Sequence, residues 1–329
     1  MRDALESFRA AVFAALGNAP EGIEPGRLHR FSTNGKRSDV AGWCQFFADG
    51  RAGVFGCWRE ATQGVWTATD RRGMSPAQAA ELARQVKAAA AAREAAKHAG
   101  WGEAADRLAV LWAQCREVSA SGTGTDPVTL YLRHRLALAP GEALAVPDVL
   151  RLHPGLAYHH EGATAGRWPA MVAGIQGPDG VAVALHRTWL TPEGRKAATP
   201  GPCKKLTQAA GPVMTGCIRL AWPGEGAGDV LGIAEGIETA LAARCASGVP
   251  TVAAYSAGAL AAWQWPRELK RLVIFADADA AGADAANTLR IRAGAAGLAV
   301  QVITPTTPGT DWCDVWATRG AGRAVEVAA

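Results

Sequence analysis

The chain has 329 residues, 49% of them hydrophobic and 19% charged, with a formal net charge of +4. That is the make-up of a folded globular protein long enough for two domains, and it excludes disordered, collagenous and fibrous classes. No apolar run approaches the roughly 18 residues of a membrane span, and no membrane partner is expected.

The opening "MRDALESFRAAVFAALG" carries acids among its apolar residues, so it predicts an amphipathic helix rather than a signal peptide. The seven cysteines are odd in number and form no CxxC pair, so reduced thiols, a cytoplasmic location and no zinc are expected. Residues 28–68 alternate short aromatic and β-branched runs with Gly, Asp and Asn, and "FADGRAG" marks a hairpin turn. A small antiparallel sheet is predicted, making residues 1–70 a small α+β region. Its aromatics (Trp43, Phe46, Phe47, Phe55, Trp58, Trp66) interleave with Arg30, Lys36, Arg37, Arg51 and Arg59. Such a set can stack on bases and meet phosphates, or it can simply be the core of the sheet.

Residues 71–120 read as a helical connector, opened by the cap and proline of "SPAQAAELARQV". "SGTGTD" at 121–126 is a flexible break, after which Asp126 caps a helix that starts at Pro127. Residues 121–227 form a mixed α/β subdomain with a mixed sheet. "WPAMVAGIQ", "VAVALHRTWL" and "VMTGCIRLAW" are its strands, "TPEGRK" and "TPGPCKKL" its turns, and "GEGAG" at 224–228 a linker. From residue 228 to 329 strands and helices alternate, with helices expected over 238–247, 257–263 and 283–295. This rhythm predicts a mostly parallel, Rossmann-like sheet with flanking helices. The fold class is α/β.

Two of these strands end in acid: "VLGIAEG" at Glu235, and "LVIFADAD" at Asp277 and Asp279. In an open parallel sheet the carboxyl ends of the strands are where ligands sit. Residues i and i+2 of an extended strand point to one side, so Asp277 and Asp279 would present their carboxylates together where the extended geometry continues through them. A divalent cation would relieve their repulsion, and oxygen-only donors favour Mg²⁺ or Mn²⁺. A further acidic pair, Asp311 and Asp314 in "GTDWCDVW", follows the last strand. An acid after a strand can also merely cap the next helix; it is the common edge shared by all five that favours a metal site. His153, His159 and His160 have no usual ligand spacing. Residues 226–329 hold 8 Lys+Arg against 10 Asp+Glu, whereas the rest of the chain carries a net +6. An acidic site beside a basic remainder suits a metal-dependent enzyme acting on a polyanion.

"AEGIETAL", "FADADAAG" and "DWCDVW", in that order, resemble the motifs of the Toprim domain, the metal-binding module shared by topoisomerases and bacterial-type primases. The resemblance covers about residues 228–318. It implies that Glu235 is the acid/base or metal-side carboxylate, that Asp277 and Asp279 hold Mg²⁺, and that Asp314 with Asp311 completes the shell. Glu235, Asp277 and Asp279 would be the catalytic residues, and Gly236 would permit close backbone approach at the turn. A topoisomerase needs a nucleophilic tyrosine. Of the three present, Tyr255 is expected inside the second strand, and Tyr131 and Tyr158 lie in no recognisable setting for that role.

Residues 126–225 instead resemble the segment preceding Toprim in phage and plasmid primases, through "YLRHRL", "LRLHPGLAYHH", "WPAMVAGIQGPDG", "ALHRTWLTPEGRKA" and "KKLTQAAGPVMTGCIRL". The implied activity is synthesis of short RNA primers from ribonucleoside triphosphates on a single-stranded DNA template. Arg187, Lys196, Lys204, Lys205 and Arg219 are the candidate cations for nucleotide and template phosphates. The zinc module that begins many such primases is absent, as is a Walker motif, so any helicase would act in trans. A Toprim-type metal-dependent nuclease and a non-catalytic nucleic-acid-binding replication accessory protein remain as alternatives.

Overall fold

The computed structural model describes residues 1–35, 40–58, 62–222 and 229–321. The chain divides into two compact units, Met1–Lys97 and His98–Ala329. Among the described residues no helix is long and apolar enough to cross a membrane.

The first unit pairs helix α1 (Arg2–Leu16) with an antiparallel sheet of β1 (Leu28–Phe31), β2 (Gly42–Phe46), β3 (Ala52–Cys57) and β4 (Thr62–Thr67), in that order. Phe8, Val12 and Leu16 recur every four residues, which places them on one helix face; that stripe is buried with Cys44, Phe46 and Cys57. Most of the aromatics thus fill the core. Trp58 is the exception: it is 43% exposed, stands edge-on to Trp43 and lies 5.4 Å beneath the Arg30 guanidinium. Lys36, Arg37 and Arg59 lie outside the described residues, as does the expected linker at 224–228. Helix α2 (Pro76–Ala113) is continuous over 38 residues, as its Ala-rich, uninterrupted composition allows.

The second unit contains two sheets. The first is antiparallel throughout, in the order β5 (Arg116–Glu117), β6 (Leu150–His160), β7 (Ala163–Gln176), β8 (Ala182–Trp189) and β9 (Lys204–Leu206). It is therefore not a mixed sheet, and "KKL" is its edge strand rather than part of a turn. One face, with Met171, Ala173, Ile175 and Ala184, packs on α3 (Pro127–Arg135) and α4 (Ile237–Ser247). The other face, with Val172, Leu185 and Trp189, packs on Leu108 and Leu111 of α2. Asp126 caps α3 by accepting from the backbone N–H groups of Val128 and Thr129, with Pro127 at the first helical position.

The second sheet is parallel, in the order β11 (Thr251–Ala253), β10 (Val230–Ala234), β12 (Arg271–Phe275) and β13 (Ala299–Ile303). Alternation along the strands divides its faces. Leu231, Ile233, Leu272 and Ile274 pack with Leu260 of α5 (Ala257–Ala262) and Leu289 of α6 (Ala280–Ala295). Ala234, Val273 and Phe275 pack with α4 and with Trp312 of α7 (Trp312–Ala317). Helices therefore cover both faces, and the strands' carboxyl ends form one open edge.

"VMTGCIRLAW" departs from expectation. Val213–Thr215 is a 3-10 turn, and beyond it Cys217 bridges to Gln176 while Ile218 bridges to Ala253. Cys217, Ile218 and Leu220 are buried there, and the segment pairs one residue with each sheet rather than extending either.

Candidate carboxylate site at the parallel-sheet edge

The register Ala234↔Phe275 sets the ends of β10 and β12 level. Glu235 leaves β10 directly, and Asp277 follows β12 after one further residue. Two hydrogen bonds tie the loop after β12 to the loop before α7: Ala278 N–H donates to Thr310 O at 3.0 Å, and Gly309 N–H to Ala278 O at 2.7 Å. They bring Asp311 and Asp314 to the same edge. Packing is close here. A Cβ on Gly282, in the first turn of α6, would stand 2.8 Å from the Asp277 carbonyl oxygen. Gly236 is less constrained: it caps α4 in extended backbone (φ −97°), and a Cβ there would meet Thr239 Oγ1 at 3.3 Å.

Four of the five acids face backbone amides. Glu235 is near the Ala257 N–H at the start of α5, which favours its charged form. Asp279 caps α6 by accepting from Gly282 N–H at 2.7 Å. Asp311 and Asp314 form a reciprocal capping box at the start of α7. Among the described residues Asp277 alone has no such partner, and its buried Oδ1 accepts no hydrogen bond from them. Strand geometry ends at Phe275, so Asp279 is directed by its cap rather than by strand alternation.

The acids nevertheless feel one another. Burial raises the Asp277 carboxyl to about 7, with further upward pushes from Glu235, Asp311, Asp279 and Asp314. Burial also raises Glu235, seconded by Asp279 and opposed by the Ala257 N–H and Lys204. Among the described residues one cation touches the cluster directly: Arg135 of α3 stands 3.8 Å from Asp311.

Sequence reasoning passed over a neighbouring buried group. Glu238, three residues after Glu235 and 4% exposed, accepts from the Tyr131 hydroxyl and from Lys204 Nζ at 2.9 Å. Burial works against its charge, yet Lys204 and the Tyr131 hydrogen bond bring it down to about 2. His186, 7% exposed beside this group, is lowered to about 4 by burial and then by Lys204. An acid in the apolar first turn of "EGIETAL" was the available signal. Tyr255 also differs from expectation: β11 ends at Ala253, and Tyr255 stands just beyond it at φ 69°, donating its backbone N–H to Glu235 O.

The basic residues do not form one wall. Lys204 pairs with Thr188 in register and faces Glu238, whereas Arg187 pairs with Lys205 on the opposite face of the sheet. Lys205 Nζ lies 3.7 Å over the Tyr158 ring and donates to His159 O. Arg219 stacks 3.8 Å over Trp222 and donates to Gly177 O. Lys196 is exposed beyond β8.

Among the described residues no group of three or more His, Cys, Asp or Glu side chains is gathered closely enough to hold a metal ion. The donor chemistry still fits a hard divalent cation, because every acid offers oxygen and Asp277 keeps one buried oxygen unpartnered.

Residues 230–322 match the family model described as "Toprim domain", and residues 102–220 match a domain of unknown function (DUF7146). No curated protein matches the chain. Among solved structures, a DNA primase domain from Pseudomonas aeruginosa is 16% identical, with a TM-score of 0.34 over 52% of this chain and 53% of that one. The primase fragment of the bacteriophage T7 primase-helicase protein is also 16% identical, with a TM-score of 0.33 over 56% and 63%. The Aquifex aeolicus primase (zinc-binding and RNA polymerase domains) is 14% identical, with a TM-score of 0.42 over 96% and 82%. The chain thus spans about half the length of the first of these. All five carboxylates of the sheet edge lie within the residues that match the Toprim domain.

Proposed function

We propose that the chain is a DNA primase of the phage or plasmid Toprim type, joining ribonucleoside triphosphates into short primers on single-stranded DNA. The observation that carries this reading is the acid edge within the Toprim match, where Asp277 keeps a buried, unpartnered oxygen among four other carboxylates. The likeness of residues 126–225 to the segment preceding Toprim in mobile-element primases gives the preference for primer synthesis over phosphodiester cleavage.

Asp277 and Asp279, with Asp311 and Asp314, would hold Mg²⁺ or Mn²⁺, and Glu235 lies beside them. The bound ion would supply charge stabilisation to the triphosphate and lower the pKa of the attacking 3′-hydroxyl. Glu235, raised above the ordinary carboxylate range by burial, is suited to accept that proton. Lys204, pinned by Glu238 with its side chain 35% exposed, would offer its remaining N–H bonds to a substrate phosphate near Glu235. Arg187, Lys196, Lys205 and Arg219 would meet nucleic acid elsewhere on the unit.

Incorporation of labelled ribonucleotides on a panel of single-stranded DNA templates tests this reading. Wild-type protein is expected to make short products with Mg²⁺ or Mn²⁺, and D277A/D279A to lose ~100-fold or more. Template degradation that depends on the same aspartates would make the chain a nuclease instead. Retained DNA binding with neither activity would make it an accessory protein.

A further inference from the structure

The antiparallel sheet turns Arg187 away from the carboxylate edge, toward α2. There it borders a cavity of about 230 Å³ whose polar lining is Arg107, Arg187, Thr207 and Gln208, set against Leu108 and Leu111. The Arg187 side chain reaches it across the Trp189 ring, with the guanidinium 5.2 Å from the ring centre. Its Nη2 donates to Leu206 O, but its buried Nε has no partner, and among the described residues no carboxylate pairs with it. A largely buried guanidinium without a counter-ion is costly, and nothing offsets the burial that lowers its pKa.

The neighbouring groups are donors too. Thr207 Oγ1 already accepts from Leu185 N–H at 2.9 Å, which leaves its hydroxyl hydrogen free to donate. Gln208 Oε1 accepts from Arg107 Nη2 at 3.0 Å, leaving the carboxamide NH₂ as a donor. Arg107 also pairs with an acid, Glu103, one helical turn away and 3.6 Å from its guanidinium. Glu103 does not line the cavity.

We propose that this cavity is a binding site for a phosphoryl oxyanion, with Arg187 as its buried cation and Arg107 as its outer one. Guanidinium forks match phosphate geometry. The volume is below the ~300–1,000 Å³ of pockets that enclose a whole small molecule, so the cavity takes one charged group of a ligand. That group is a phosphodiester of single-stranded nucleic acid or the phosphate of a free nucleotide. The site lies on the sheet face opposite Lys204 and does not depend on primer synthesis.

Calorimetric titration of the full chain in metal-free buffer tests the proposal, with inorganic phosphate, a ribonucleoside triphosphate and a 12-residue oligothymidylate as separate probes. Saturable phosphate binding is expected, weakened at least tenfold in R107A and in R187K. Tighter binding of the oligonucleotide than of the triphosphate would identify the phosphodiester as the occupant, and the reverse order the free nucleotide. R107A changes an exposed helix position, so it decides the matter even where R187K fails to fold. Absence of saturable phosphate binding, or wild-type affinity in R107A, would overturn the proposal.

Discussion

Asp277 combines burial and like-charge neighbours in one side chain. Its carboxyl titrates near 7 because burial and four surrounding acids disfavour the charge. A carboxyl raised in the folded state contributes stability that is complete below the unfolded pKa, near 4, and is lost as the pH rises through about 7. D277N should therefore raise the thermal stability of the metal-free protein at pH 8, by on the order of 1–2 kcal/mol after allowance for solvent screening. Below pH 4 it should change little. Melting curves of both proteins at the two pH values, with chelator present, check this, and an equal shift at both would remove the electrostatic cause. Glu238 is the opposite case: a buried acid kept charged by Lys204 and Tyr131, so it binds three segments of the chain together rather than repelling its neighbours.

At the scale of elements, the join between β12 and α6 is the most constrained. Gly282 lets the first turn of α6 lie against the Asp277 backbone, where a Cβ would stand 2.8 Å from a carbonyl oxygen. G282A should displace that turn, costing about 1–3 kcal/mol in urea unfolding and weakening Mn²⁺ binding; unchanged affinity would show that Asp277 is not positioned by α6. The same region shows what the sequence could reveal. Strand–helix alternation and acids at strand ends located β10, β12 and the carboxylate edge, because both are local signals. Alternation could orient the DxD pair only while the strand lasted, and β12 ends at Phe275. Asp279 caps α6 instead. The adjacent lysines of "KKL" lie on opposite sheet faces because β9 is a strand, and its three residues were too few to show periodicity. The partners of Glu238 lie 107 and 34 residues away in sequence, a separation that no motif encodes.

At the scale of the molecule, the second unit joins an antiparallel and a parallel sheet through α3, α4 and the segment around Cys217, and His186 and Glu238 are buried polar groups at that junction. His186 is lowered to about 4, so its contribution is complete above pH 6.5 and is lost as the pH falls toward 4. Wild-type melting temperature should drop over that window, by the equivalent of ~2 kcal/mol, and H186Q should flatten the fall; an identical slope in the variant would place the acid lability elsewhere. The central claim, however, is that the parallel-sheet edge is a divalent-cation site. Electron paramagnetic titration of Mn²⁺ tests it most directly, on the wild-type chain and on D277N/D279N at pH 8. Saturable Mn²⁺ binding that is lost in the double variant and displaced by Mg²⁺ is the predicted result. Equal binding by both proteins, or none by the wild type, would contradict it.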